Sequence, residues 1–366
     1  MKDLLLIELN EIDFEFLKSA LVSKNRPHIK KLLSLNKINT KTEDKEEGHN
    51  LDPWVQWVSV HTGKTSNQHK VYRIGQTLSS SVKQIWEMLA DLNFKSTIWG
   101  AFNSTLRKKK NIDLFYPDPW SFSEKAFPKN FNSYLKLPSY YAQNYPSVKK
   151  TKLIYYCFIF LVKIFFSRIF FYLIKNFFSF FKIFLKVGIK SFNLYFFLDL
   201  ISLLIIQKNI KKTKSDFVII SLNSFAHYQH NFWDEKKYEH IYFWYLNEMI
   251  KVFNNMEKIY NSSIVFNGFS QRKIKTEYHL RAKDPQFFLS LFNLRYKNIK
   301  PNMTTGATVF FKDAKDKIKT INFLKSISIY DYPLFEIQNF NKKNKIFFKF
   351  SLVSYKIIDD IKIINI

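Results

Sequence analysis

LLLIELNEID, residues 4–13, is a continuous apolar run interrupted by one glutamate that then turns abruptly polar. A run this short and this apolar is the pattern of a strand buried on both faces of a parallel sheet, because helices cover such a strand above and below and leave no solvent face to alternate with. Glu8, Asn10 and Glu11 then project from the carboxyl end of that strand, the end at which open α/β sheets bind their ligands. Helical spacing follows, with Phe14, Leu17 and Leu21 before Pro27 and Ile29, Leu32, Leu33 and Leu35 after it. The segment has no small-residue cleavage site, so a first strand is expected rather than a signal peptide.

The alternation of strand and helix continues along the chain. VKQIWEMLADLNF (82–94) has helical spacing and STIWGAF (96–102) reads as a strand, while FYPDPWS (115–121) is a proline-fixed loop. DFVIISLNS (216–224) reads as a second buried strand, residues 238–260 as a long helix, and SSIVFNGF (262–269) as a further strand. FEIQNF (335–340) and KIFFKFSLVSYKI (345–357) suggest an antiparallel hairpin at a sheet edge. The expectation is an α/β fold, a three-layer α/β/α sandwich around a mostly parallel, doubly wound sheet. Residues 1–150 would form its first part, 151–214 a helical insert and 215–366 its second part.

The formal charge is +27, from 57 Lys and Arg against 30 Asp and Glu, which raises nucleic acid or an anionic membrane as partners. Arg is scarce and no stretch interleaves it with aromatics along a groove, so nucleic acid is disfavoured. The one cysteine, Cys157, excludes a disulfide within the chain and a cysteine-based zinc site, and it fits a reducing, cytoplasmic setting.

Residues 151–207 are built from Phe, Ile, Leu and Tyr, with cations at Lys163, Arg168, Lys175, Lys182, Lys186 and Lys190. At helical spacing the last five fall within an arc of roughly 80°. A mostly apolar helix with a narrow basic stripe suits the plane of an anionic membrane, with peripheral association. Leu153–Ile174 holds 15 Leu, Ile, Phe or Val residues against two central cations, so the balance for spanning a bilayer is near zero. Three arrangements therefore stand open: an interfacial helix, a cap on the main domain, or a span.

PWVQWVSVHTGKTSNQH (53–69) and SFAHYQHNFW (224–233), together with the first strand, resemble the alkaline phosphatase and nucleotide pyrophosphatase superfamily. In that family the first strand ends in a metal-binding Asp, a later helix starts near the Ser or Thr nucleophile and runs into Ser-x-x-Thr-Gly, and a metal-binding Asp precedes a Gln-His pair and a Trp. Ser59, Thr62, Gly63, His69 and His230 occupy matching places. Asn10 stands where the first Asp belongs, Pro53 and Trp54 where the nucleophile belongs, Ala226 where the second Asp belongs, and Phe266, Asn267 and Gly268 where Asp-His-Gly belongs. The resemblance implies a metal-dependent hydrolase or transferase acting on a phosphate-type or sulfate-type ester, such as a lipid-linked glycan. The alternative is a non-catalytic relative that binds a glycan or a partner protein.

Candidate ligands for a divalent metal, zinc or manganese, are Glu8, Asn10, His227 and His230, since carboxylate and imidazole suit such ions. Asp52 and Glu11 are the catalytic candidates, Asp52 having the rival role of helix cap before Pro53. Trp54, Trp57, His61, Asn103 and Asp118 are candidates for contacting a phosphorylated or glycan substrate, with core packing and turn formation as the competing roles of the tryptophans, Asn103 and Asp118.

Overall fold

The computed structural model describes residues 4–351 apart from 22–25, 46–49, 78–79, 122–123, 145–147, 189–190, 234, 272–283, 302–305, 330–331 and 341–343. Two compact units are present, Met1–Ser139 with Tyr156–Lys273, and Tyr140–Tyr155 with Ile274–Ile366.

The first unit is α/β. Its chain order is β1 (Leu4–Leu9), α1 (Phe14–Leu21), α2 (Pro27–Leu33), α3 (Pro53–Thr62), α4 (Ser66–His69), α5 (Ile85–Asp91), β2 (Ser96–Trp99) and β3 (Ile112–Tyr116). Helices α6 (Asn132–Asn144), α7 (Lys150–Phe165), α8 (Ile169–Lys175), α9 (Phe177–Val187) and α10 (Ser191–Thr213) follow, of which Tyr140–Tyr155 is grouped with the second unit. Then come β4 (Phe217–Leu222), α11 (Ser224–Phe232), α12 (Lys236–Glu257) and β5 (Ser262–Phe266). The sheet has five strands in the order β3-β2-β4-β1-β5, and every strand pair in it is parallel.

Two of these strands position the candidate site. LLLIELN and FVIISLN run side by side in register, Glu8 beside Ser221 and Leu9 beside Leu222, and the ladder is extended by Asn10 N–H donating to Leu222 O at 3.0 Å. All six residues of β4 are buried, as are Leu5, Ile7 and Leu9 of β1, which is what cover on both faces requires. The edge strand β5 is largely exposed and carries Ser262 and Ser263 at its start.

The expected insert does not stand apart from this unit. Phe192, Phe196, Leu200, Leu203, Ile206 and Ile210 form a helical stripe on α10, and all are fully buried. Phe196 stacks on Tyr245 of α12 with ring centroids 5.2 Å apart and meets Phe225 of α11 at 5.3 Å. A boundary at residue 215 therefore falls inside packed structure. Apolar composition marked the segment correctly as unusual, but composition is blind to which face is covered.

The second unit contains α13 (Pro285–Ser290), β6 (Asn298–Pro301), β7 (Ala307–Phe310), α14 (Ala314–Ser326), β8 (Ser328–Ile329), β9 (Tyr332–Pro333), β10 (Phe335–Asn339) and β11 (Lys345–Phe350). The antiparallel pairing of β10 with β11 is present, but in a separate four-stranded sheet, β10-β11-β7-β6, and not at the edge of the parallel one. Leu289, Val309, Leu324, Ile346 and Phe348 form its own core. Residues 352–357 of the expected hairpin lie outside the described residues.

Candidate functional site at the carboxyl end of the sheet

Because β1 and β4 are parallel and in register, their carboxyl ends deliver Glu8, Asn10 and Glu11 beside Ser221, Asn223, His227 and His230. Most polar groups there are engaged with one another, while the buried His61 Nδ1 and Ser224 Oγ have no hydrogen-bond partner. Glu8, fully buried, faces His61 Nε2 of α3 at 2.7 Å through Oε1 and accepts from the Ser221 hydroxyl through Oε2. The His61 ring lies between Trp57 and Trp86, with centroids 5.9 and 5.2 Å away.

Asn10 joins three elements. Its Oδ1 accepts from Trp57 Nε1 at 2.7 Å, and its Nδ2 donates to Asn223 Oδ1 at 2.7 Å and to Glu11 Oε1 at 3.3 Å. Asn223 Nδ2 lies 3.2 Å from His227 Nε2, so the chain of amides ends on an imidazole acceptor. That imidazole stacks on Tyr195 at 4.1 Å, and burial followed by the nearby His230 charge pushes its pKa down to about 4. His227 is therefore neutral over the ordinary pH range.

Glu11 adopts a left-handed backbone with φ of 56°, a conformation costing a side chain-bearing residue roughly 1–2 kcal/mol. Gln229 Nε2 donates to its carbonyl at 2.8 Å and Asn267 O accepts from its N–H at 3.3 Å, which together hold the turn. The result aims its carboxylate at His230 Nε2, 3.0 Å away, while Gln271 Nε2 donates to the same carboxylate oxygen. Burial raises the Glu11 carboxyl, but the hydrogen bonds from His230 and Gln271 outweigh it and hold it below the ordinary value. His230 is more than half exposed. His230 is thus the member of the Glu11, His230 and Gln271 cluster that opens it to solvent.

The remaining candidates make the following contacts. Asn103, buried with φ of 52°, ties together Trp54 O, Arg73 O and Gly75 N through its side chain and donates its own N–H to Asp118 Oδ2 at 3.0 Å. Asp118 closes a local turn by accepting from Trp120 N–H and the Ser121 hydroxyl, and burial pushes its carboxyl up to about 6. Trp54 is half-buried and donates to Tyr72 O at 3.2 Å. Asp52 is the N-cap of α3 ahead of Pro53, its carbonyl accepting from Val55 and Gln56 N–H.

Ser59, one turn before Gly63, is not activated by His69. Val71 N–H donates to His69 Nδ1 at 3.0 Å, which places the ring proton on Nε2, and that nitrogen lies 3.1 Å from Ser59 Oγ. The Ser59 hydroxyl in turn donates to Asp44 Oδ2 at 3.1 Å, so the histidine donates where a general base would accept.

Among the described residues no group of three or more His, Cys, Asp or Glu is arranged to hold an ion. The Asn10 oxygen meets an N–H donor, and each Glu8 oxygen meets one hydrogen-bond partner, His61 Nε2 or the Ser221 hydroxyl.

Asn223, Gln229, Gln271, Tyr195 and Asp199 belong to the site and were not singled out from sequence. One signal was available for Asn223: both central strands end in Leu-Asn, so in-register pairing must bring the two asparagines together. Asp199, on α10, accepts from the N–H groups of Asn223 and Ser224 at 3.1 and 2.9 Å and so caps α11, although burial pushes its carboxyl up to about 6. Comparison with known protein families, curated proteins and solved structures finds no match to the chain.

Proposed function

We propose that the carboxyl end of the parallel sheet is a metal-free binding site for a polyhydroxylated ligand, a glycan or sugar phosphate, in an alkaline-phosphatase-like sandwich that has given up metal chemistry. The observation that carries this reading is the hydrogen bond from Trp57 Nε1 to Asn10 Oδ1, 2.7 Å long. An indole N–H aimed at that oxygen occupies the direction from which a cation would be bound, and it opposes a cation electrostatically.

The groups nearest solvent are the imidazole of His230 and the carboxamide of Gln271, both against the largely buried carboxylate of Glu11, with Trp233 one helical turn further on. Hydroxyls of a sugar ring fit the polar set, and its apolar face fits the indole. Calorimetric titration of the full chain with glucose, N-acetylglucosamine and glucose 1-phosphate tests this. Saturable binding of at least one, unaffected by a chelator and weakened tenfold or more in Glu11→Gln and His230→Ala, is the expected result. Absence of binding at millimolar ligand, or binding that a chelator removes, contradicts it.

A second reading, metal-independent hydrolysis of a phosphate-type ester, is favoured by one observation, the carboxylate-oriented imidazole of His230. Turnover of bis(p-nitrophenyl) phosphate in the presence of chelator, lost in His230→Ala, would select it over binding alone.

A further inference from the structure

The elbow made by α7 from Tyr156 onward, α8 and α9 presents apolar side chains with no cover. Phe166 is 82% exposed, Phe178 74%, Phe171 71% and Leu185 70%, with Phe158, Leu161 and Phe177 also more than half exposed. Monomeric soluble surfaces rarely leave this many large apolar groups together, because each forgoes the free energy of burial. The elbow's other side is anchored. Phe180 packs against Phe197 and Trp244 at 5.5 and 5.3 Å, and the Tyr172 hydroxyl donates to Glu248 at 3.0 Å.

Charge identifies what covers the open side. Residues 156–188 contain Lys163, Arg168, Lys175, Lys182 and Lys186 and no Asp or Glu, and all five cations are exposed. Lys190 lies outside the described residues. An apolar protein partner would have no need of uncompensated cations between its contacts, whereas an anionic bilayer offers hydrocarbon for the rings and phosphate-bearing headgroups for the lysines.

Geometry separates lying on the membrane from crossing it. The axes of α7 and α8 diverge by 91° at the break between them. A helix of 16 residues, the length of α7, reaches only about 24 Å against a hydrocarbon thickness of about 30 Å. The one described helix long and apolar enough to span by itself, Phe192–Thr213, is α10, which turns its buried stripe onto α11 and α12 and whose Asp199 caps α11. We infer that the α7–α9 elbow is a monotopic membrane anchor that seats its exposed phenylalanines in the interface of an anionic bilayer, with α10 and α12 as its rigid mount. This inference is independent of what the sheet end binds.

The test is co-sedimentation of the full chain with vesicles of phosphatidylcholine alone or with phosphatidylserine. Preferential binding to anionic vesicles, weakening as salt rises, is expected. Lys175→Gln, Lys182→Gln and Lys186→Gln together should weaken it roughly a hundredfold at low salt. Phe166→Ser, Phe171→Ser and Phe178→Ser together should weaken it more than tenfold while leaving the thermal melt unchanged, since those rings have no core contacts to lose. Failure of the wild-type chain to sediment with anionic vesicles, equal sedimentation of either triple variant, or self-association through the elbow without vesicle binding would each overturn the inference.

Discussion

Replacing Trp57 with Phe removes an N–H and leaves the buried Asn10 oxygen without a donor, so the expected loss is about 1–3 kcal/mol beyond any cavity left by the smaller ring. Urea denaturation measures it. A loss no larger than that of Trp86→Phe corrected for its own hydrogen bond to Thr105 O would show that the Asn10 contact contributes nothing. His227 gives a pH prediction. Its folded pKa, about 4, lies below the ordinary histidine value, so its contribution to stability is present above pH 6.5 and is lost as pH falls toward 4. Asp118 and Asp199, pushed up to about 6, act in the opposite sense, gaining stability as pH falls through that value. Those two are unchanged in His227→Gln, so the difference between variant and wild type isolates the histidine. The variant should lose up to about 3 kcal/mol less between pH 6.5 and 4. Parallel stability curves for the two proteins would contradict the burial of a neutral imidazole. At this scale the sequence placed Glu8, Asn10, Glu11, His227 and His230 together correctly, because strand ends in a parallel sheet share one edge. It could not show that Trp57 turns its indole to Asn10, since an indole in the core and an indole serving a site have the same letter.

Elements were legible where burial and period agreed. Strands β1, β4 and β5 and helix α12 follow directly from short apolar runs and from 3.6-residue spacing. IDLFY, which forms β3, was hidden by its proximity to the prolines of the following loop, although Pro117 and Pro119 lie outside the strand. Helix α10 lay within the expected helical insert, but what covers it stayed open, because its aliphatic stripe looks the same whether lipid or protein covers it. Leu203→Ala should therefore cost about 2–5 kcal/mol, the range for truncating a fully buried leucine, whereas Leu185→Ala on the exposed side of α9 should cost under 1 kcal/mol. Chemical denaturation of the two variants decides this. Similar small losses would mean that α10 is as detachable as its composition suggested, and Gly268 gives an independent check on the neighbouring loop. A Cβ at Gly268, which has φ of 65°, would lie 2.8 Å from the Trp57 ring, so Gly268→Ala should disturb the Trp57–Asn10 contact from outside.

For the whole molecule, the resemblance read from residues 53–69 and 224–233 concerns an architecture built around metal ions, while the side chains at the matching places satisfy one another. Glu8 and Glu11 each direct one carboxylate oxygen to a histidine nitrogen. The most direct test is elemental analysis of the purified full chain, followed by calorimetric titration of zinc and manganese into the wild type and into a His227→Ala, His230→Ala double variant. Sub-stoichiometric metal, with titrations indistinguishable between the two proteins, is the predicted result. One equivalent of metal per chain that the double variant cannot hold would contradict the account.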